Sequence, residues 1–296
     1  MNKDLLITGV SGFIGRHVAE EAIRRGYNVA GIDRNHSEIG GIDFTKADIR
    51  DRDRLLQVMK GKEYLIHLAA ITSNVEFMKN PVDCYDINAS GFLNVIDAAA
   101  KIGCKRFVYA SSAAVYLDSF SEEAVIDLRK QGNHYAKTKI MNEMTADSYE
   151  HIYGMPTTGL RYFNVYGRGE NDKGDYASIV SLFLRAKKNC EPLVVYGDGT
   201  QARDLINVRD AARITVDLLE KGADHVYNVG TGAATTYAAI AAMIDRHRIR
   251  YVPNPLANYQ HYTRAETTRL REVLGDYQLI ELEKGIRDLE AWYDGR

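Results

Sequence analysis

The chain has 296 residues, 38 basic and 40 acidic side chains, a formal net charge of −2, and is 45% hydrophobic and 26% charged. Near-neutral charge spread along the chain argues against nucleic-acid or membrane-surface roles, and no stretch approaches the ~20 apolar residues of a membrane span, so no membrane association is expected. Three cysteines (Cys84, Cys104 and Cys190) lie far apart without metal-ligand spacing, which predicts reduced thiols, a cytoplasmic location and no metal site.

Residues 5–8 form a short apolar run that ends at glycines and read as a buried first strand. Residues 13–25 place Ile14, Val18, Ala22 and Ile23 at helical spacing and stop at Gly26. Residues 28–32 read as a second strand closed by Asp33, which completes a βαβ unit. The alternation continues with a helix over 52–59, a strand over 64–69, a long helix over 82–101 and a strand over 106–110. A second long helix over 135–153 and a strand over 157–161 follow. Strands alternating with helices predict a parallel sheet covered on both faces. After Asn164 the rhythm loosens: a loop over 167–175, a helix over 177–188, a strand over 193–196 and the turn Gly197-Asp198-Gly199. A strand over 204–208, a helix over 210–221 and a strand over 226–229 come next. Helices over 237–246 and 279–292 then flank a polar connector. The expected fold is α/β: a doubly wound parallel sheet (Rossmann) domain over 1–163, with 204–230 returning to it. A smaller C-terminal α/β substrate-binding region comprises 164–203 and 231–296.

Thr8-Gly9-Val10-Ser11-Gly12-Phe13-Ile14-Gly15 follows the first strand and opens the first helix. Glycines at this spacing allow a tight turn, close backbone approach to a pyrophosphate and close helix–strand packing. The helix N-terminus supplies N–H donors and a positive dipole end. Gly9, Ser11, Gly12, Phe13, Ile14 and Gly15 are therefore predicted to hold a dinucleotide. Asp33, ending the second strand, is placed to accept the adenosine ribose hydroxyls and to repel a 2′-phosphate, which favours NAD. Arg34 beside it is able to pair with such a phosphate, which leaves NADP open. Asp48 and Ile49, near the end of the next expected strand, are placed to flank adenine.

Further motifs follow in order. They are His67-Leu68-Ala69-Ala70, Ser111-Ser112-Ala113-Ala114-Val115-Tyr116 and Tyr135-Ala136-Lys137-Thr138-Lys139. Arg161-Tyr162-Phe163-Asn164-Val165-Tyr166-Gly167 and Gly197-Asp198-Gly199-Thr200-Gln201-Ala202-Arg203-Asp204 complete the set. With the glycine turn, they make the sequence resemble the extended short-chain dehydrogenase/reductase family of NAD-dependent sugar-nucleotide epimerases and dehydratases, over residues 5 to near the C-terminus. Tyr135 and Lys139, four apart on a helix, share one face. A phenol titrates near ~10, and a nearby ammonium favours the phenolate. The resemblance implies Tyr135 as acid/base, Lys139 as its activator and ribose ligand, and Ser112 as the residue that orients the sugar hydroxyl. It implies that Leu68, Ala69, Ala70, Asn88, Ser111 and Tyr162 line the cofactor. It also implies that Ser112, Tyr135, Asn164, Lys173, Arg203 and Tyr259 meet the nucleotide sugar, Arg203 at the diphosphate.

The same resemblance implies a redox-neutral cycle in which a keto sugar forms and is reduced on its other face, and a homodimer built on the two long helices. Dehydratases of the family usually carry an acidic set where this chain has Ala113 and Ala114, which favours an epimerase. A UDP-glucose/UDP-galactose 4-epimerase is expected. An ADP-heptose 6-epimerase is the alternative, suggested by Lys173-Gly174 and by the stretch 259–266 with Leu270-Arg271. A non-catalytic dinucleotide-binding regulator is disfavoured because Ser112, Tyr135 and Lys139 are all present. The chain departs from the family at Leu117, where glycine is frequent, and at Gln131-Gly132-Asn133-His134, where a proline commonly precedes the tyrosine. His134 is read as a surface loop histidine.

Overall fold

The computed structural model describes residues 3–117, 120–124, 126, 129–170, 174, 176–222, 225–255 and 260–295. In β1 (Lys3–Thr8), Leu5, Leu6, Ile7 and Thr8 have no exposed surface. Burial on both faces of a strand is what a sheet sandwiched by helices imposes. Next come α1 (Phe13–Arg24), β2 (Tyr27–Asp33), β3 (Asp43–Lys46), α2 (Arg52–Met59) and β4 (Tyr64–His67). Two short helices, α3 (Asn74–Lys79) and α4 (Pro81–Tyr85), lead through a π-helical turn at Asp86–Ser90 into α5 (Gly91–Lys101). They are followed by β5 (Arg106–Ser112), α6 (His134–Tyr153), β6 (Thr157–Tyr162), β7 (Asn164–Tyr166) and α7 (Ile179–Lys188). Then come β8 (Leu193–Tyr196), β9 (Ala202–Asn207), α8 (Val208–Lys221), β10 (Val226–Val229) and β11 (Ala234–Thr236). The chain closes with α9 (Tyr237–Asp245), β12 (Ile249–Val252), α10 (Thr268–Leu274) and α11 (Leu282–Asp294).

Seven strands form the central sheet in the order β10-β6-β5-β4-β1-β2-β3, all pairs parallel. One face packs on α1 and α8, with Val18, Ala22, Ile214 and Leu218 in one core with Leu5 and Ile7. The other face packs on α2, α5 and α6 through Leu55, Phe92, Ile96 and Ala146 against Leu6, Leu65 and Phe107. This is the doubly wound α/β architecture expected from the sequence. The strand order reverses at β1, which lies between β2 and β4, so the ligand crevice opens beyond the C-terminal ends of β1 and β4.

β10 lies beside β6 in the central sheet, whereas β9 pairs with β7 and β11 in a separate three-stranded sheet. β8 and β12 form a parallel pair. A further core joins Phe183 of α7, Ile240 of α9 and Leu289 of α11.

The span 82–101, read as one helix, is interrupted by the π-helical turn around Asn88, which is buried. The Asn88 side-chain amide donates to Ile71 O at 2.9 Å and Thr138 Oγ1 at 3.1 Å, and its oxygen accepts from Ile71 N at 2.8 Å. β12, inside the stretch read as a polar connector, has half-buried ends around exposed Arg250 and Tyr251, so it carries no period-two signal.

Candidate active site

The glycine turn is required by backbone geometry. Gly9 has φ +72°, and a Cβ there would lie 2.6 Å from Ala69 N; a Cβ at Gly15 would lie 2.1 Å from Gly9 O. Gly12 caps α1 without a side-chain hydrogen bond, and the first turn holds no acidic residue. The first turn of α1 borders both cavities and brings the positive end of the helix dipole to the crevice. At the end of β2, the Asp33 carboxylate accepts from Ser11 N at 3.1 Å and Asn35 N at 2.9 Å, which fixes it beside the turn.

Two cavities meet over this helix end. One, of about 510 Å³, is lined by Asp33, Arg34, Asp48, Ile49, Ser11 and Ala69. The other, of about 530 Å³, is lined by Ile14, Gly15, Ser111, Ser112, Tyr135, Lys139, Tyr162, Asn164 and Arg203. Gly9, Gly12, Phe13, Leu68 and Ala70 border both. Asp48 is gripped by Arg50, whose side-chain hydrogen bonds at 2.7 and 3.0 Å hold the carboxyl below its usual range.

The reactive wall is built by the end of β5 and the first turns of α6. Asn133 caps α6 by accepting from Ala136 N at 3.2 Å, which fixes the turn that carries Tyr135. The Ser112 hydroxyl accepts from Ala114 N at 3.1 Å and borders the same cavity as the Tyr135 phenol. Phe77 of α3 meets the Tyr135 ring edge-on at 6.2 Å. Lys139, 1% exposed, donates to Ala110 O at 2.9 Å, with Nζ 5.7 Å from the Tyr135 ring centre.

Here the electrostatics correct the sequence-based expectation. Burial pushes the Tyr135 phenol up to about 12, with the neighbouring Ser112 hydroxyl opposing it, and Lys139 does not bring it down. Burial likewise pulls Lys139 down to about 8, with Glu143 opposing. Desolvation outweighs the attraction because the ammonium turns to a backbone carbonyl instead of the phenol.

Other expected residues are placed as follows. The Ser111 hydroxyl donates to Glu143. Tyr162 borders the cavity while its hydroxyl pairs with Thr215 Oγ1 at 2.6 Å. Asn164 donates to Asp204 O at 3.1 Å and Thr263 Oγ1 at 3.2 Å. Arg203 gives Nη1 to Ala202 O at 3.0 Å and His261 O at 3.2 Å, and its guanidinium stands 5.5 Å from the Tyr237 ring centre. Asn88 borders neither cavity, because its amide is spent on Ile71 and Thr138. Lys173 and Tyr259 lie outside the described residues. His134 is exposed as expected but opens α6, stacked on Phe77 and 3.2 Å from the Tyr85 hydroxyl.

Sequence reasoning missed Tyr237, Tyr176 and Glu170, all of which border the second cavity. Glu170 is buried and accepts from Ser178 N at 2.8 Å and from the Ser178 and Ser181 hydroxyls at 2.7 Å. Only the helix-capping serine in front of an apolar run hinted at that pairing.

A family model described as NAD dependent epimerase/dehydratase matches residues 5–230. The chain belongs to that family. A UDP-N-acetyl-alpha-D-glucosaminuronate decarboxylase of Bacillus cytotoxicus is 30% identical, over 99% of this chain and 98% of its own. An ADP-L-glycero-D-manno-heptose-6-epimerase of Alkalilimnicola ehrlichii is 31% identical, over 96% and 95%. The crystal structure of a UDP-glucose 4-epimerase from Thermotoga maritima, with UDP-glucose, superposes with a TM-score of 0.87 at 26% identity, over 100% of this chain and 99% of that one. NAD is the cofactor of the family, and the residues here fit it: a pocket that holds the Asp33 carboxylate, the glycine turn at the start of α1, and Lys139 at the far end.

Proposed function

We propose that the protein epimerises a nucleotide sugar through a transient keto sugar, interconverting UDP-glucose and UDP-galactose at carbon 4. The observation that carries this reading is that one cavity borders Ser112, Tyr135 and Lys139 together with Asn164 and Arg203. NAD, which the glycine turn, Asp33 and Lys139 would hold, would supply the hydride acceptor and donor for the sugar carbon. With its own proton removed, Tyr135 as phenolate accepts the sugar hydroxyl proton, and as phenol it returns that proton when the keto sugar is reduced. The Lys139 ammonium stabilises the phenolate whenever that proton has left. Arg203, its Nη1 tied to two carbonyls, presents its remaining edge to a diphosphate. Ala113 and Ala114 supply no acid or base for expelling water across carbons 5 and 6, which separates this reading from a dehydratase. The 31% identical heptose enzyme supports a second reading, in which the substrate is an ADP-heptose turned over at carbon 6.

The test is incubation with UDP-glucose, UDP-galactose, UDP-sugar acids, ADP-heptose, GDP- and dTDP-sugars, with epimers separated chromatographically. UDP-galactose formed from UDP-glucose is the expected result. Conversion of ADP-heptose alone would move the assignment to the second reading, and carbon dioxide released from a uronic acid would make the protein a decarboxylase.

The proposal includes a cytoplasmic homodimer. Cys84, Cys104 and Cys190 are free thiols. Of the apolar side chains on the long helices, Ile87, Phe92 and Ile140 are buried in this chain, whereas Leu93 on α5 and Met141 and Met144 on α6 are exposed. α5 and α6 pack side by side, with Tyr149 donating to Asp97 at 3.2 Å. Two copies related by a two-fold axis would cover that face as a four-helix bundle. Light scattering at micromolar concentration should give twice the chain mass, and a monomer would refute this arrangement. Among the described residues, no helix is long and apolar enough to cross a membrane.

A further inference from the structure

Behind the reactive wall lies a charged cluster that the proposed chemistry leaves unexplained. Glu143 follows Lys139 by one helical turn on α6, as Lys139 follows Tyr135, so the three share a face. Its carboxylate accepts from Arg161 Nε at 2.9 Å and Nη2 at 2.8 Å, and from the Ser111 hydroxyl. The Glu143 and Arg161 side chains are only 11% and 6% exposed. Arg161 also donates to the Tyr116 hydroxyl at 2.8 Å, and that hydroxyl donates to Asn228 at 2.7 Å. The cluster thus ties α6 to β5, β6 and β10 directly behind Ser112 and Lys139.

We propose that Glu143, clamped by Arg161 and Ser111, is a positioning residue that supplies the counter-charge for the buried Lys139 ammonium and locks the end of β5 against α6. The inference rests on the role given above to Lys139 beside Tyr135. An ammonium with 1% exposure has lost its water and needs compensating charge nearby. α6 offers Tyr135 and Glu143, β4 offers neutral His67, and β5 offers Tyr109 and Ser111. β6 offers Arg161, and the turn after β5 offers Tyr116. Among these groups, Glu143 is the carboxylate that shares a face of α6 with Lys139, one turn away. It opposes the burial that draws Lys139 down to about 8. The bidentate Arg161 fork fixes the carboxylate in place.

The test reads Lys139 directly, without substrate. Protein labelled with [ε-13C]lysine is titrated by NMR, the Lys139 signal being assigned by its loss in Lys139→Arg. Lys139 should titrate near pH 8 in the wild type, at least about one pH unit lower in Glu143→Gln, and close to wild type in Glu143→Asp. The alkaline limb of turnover should move down with it. If Glu143→Gln lowers the melting temperature but leaves the Lys139 midpoint in place, Glu143 is a structural ion-pair partner only and the proposal fails. Should that variant not fold because Arg161 is left unpaired, Glu143→Gln/Arg161→Gln removes both charges. Its Lys139 midpoint should still fall, because the lost carboxylate sits one turn from Lys139 on the same face of α6, and an unchanged midpoint again overturns the proposal. A wild type inactive on every nucleotide sugar would sink the proposed function but leave this titration readable.

Discussion

Lys139 stands 5.7 Å from the centre of the Tyr135 ring and gives its hydrogen bond to the Ala110 carbonyl instead of the phenol. Both groups are held away from their ordinary values by burial, the phenol at about 12 and the ammonium at about 8. The pair therefore rests with the proton on Tyr135 at neutral pH, and moving it requires the charge on Lys139. Replacing Tyr135 by Phe removes only the hydroxyl, so the ring still packs on Phe77 and the dinucleotide pocket survives. Turnover should fall ~10²–10⁴-fold while bound NAD is retained. Lys139→Ala should reduce both turnover and NAD retention. Measuring epimer interconversion and extracted nucleotide in each variant separates the two roles, and near-normal turnover in Tyr135→Phe would remove the phenol from the mechanism.

Cofactor choice should follow Asp33. Its carboxylate is fixed by two backbone donors at the mouth of the first cavity, while Arg34 is exposed beside it. A fixed carboxylate repels a 2′-phosphate, so nucleotide extracted from purified protein should be NAD or NADH. Asp33→Ala should narrow the preference by weakening NAD and admitting NADP through Arg34. Extraction of mainly NADP from the wild type would show that Arg34 outweighs Asp33.

How far the sequence foretold this site depended on whether the signal was local. The glycine turn, Asp33 and the Tyr135/Lys139 spacing are short-range patterns with direct geometric consequences, and the structure brings all of them to the two cavities. Asn88 is placed at the cofactor by the resemblance alone, but the π-helical turn aims its amide at Ile71 and Thr138, and nothing in the sequence reports that turn. Tyr237 comes to Arg203 only because β11 pairs with β9, a contact across more than thirty residues that periodicity does not encode. β7 and β11 are only three residues long, and β12, unlike β4, β8 and β10 of the same four-residue length, contains no buried residue to mark it.

The glycine turn offers a contrast within one fold. A Cβ on Gly15 would lie 2.1 Å from the Gly9 carbonyl oxygen, so backbone would have to move between α1 and β1. Gly40 has nothing within 4 Å and no positive φ. Gly15→Ala should cost about 3 kcal/mol or more and lose bound NAD, whereas Gly40→Ala should stay within about 0.5 kcal/mol of wild type. Denaturant melts with nucleotide extraction check this, and equal stability of the two variants would mean the turn tolerates rearrangement.

His67 should make the fold sensitive to acid. Its ring is fully buried at the end of β4, 5.3 Å edge-on to Phe92 and stacked 6.3 Å from Phe107, with Nδ1 2.8 Å from Thr8 Oγ1. Burial first, and the Lys139 charge second, draw its pKa down to about 3. In the unfolded chain the imidazole titrates near its ordinary value of ~6.5. Between those two pH values the unfolded state binds the extra proton and the native state does not. The contribution is therefore complete above ~6.5 and is lost as pH falls toward 3, by at most about 1.4 kcal/mol per pH unit. Carboxylates also titrate in the lower part of this window, so the informative quantity is the difference between wild type and His67→Gln, which keeps a polar partner for Thr8. Urea unfolding at pH 7, 6, 5 and 4.5 should give a wild-type stability that declines more steeply than the variant's. A difference that stays constant with pH would mean that His67 takes up its proton inside the folded protein.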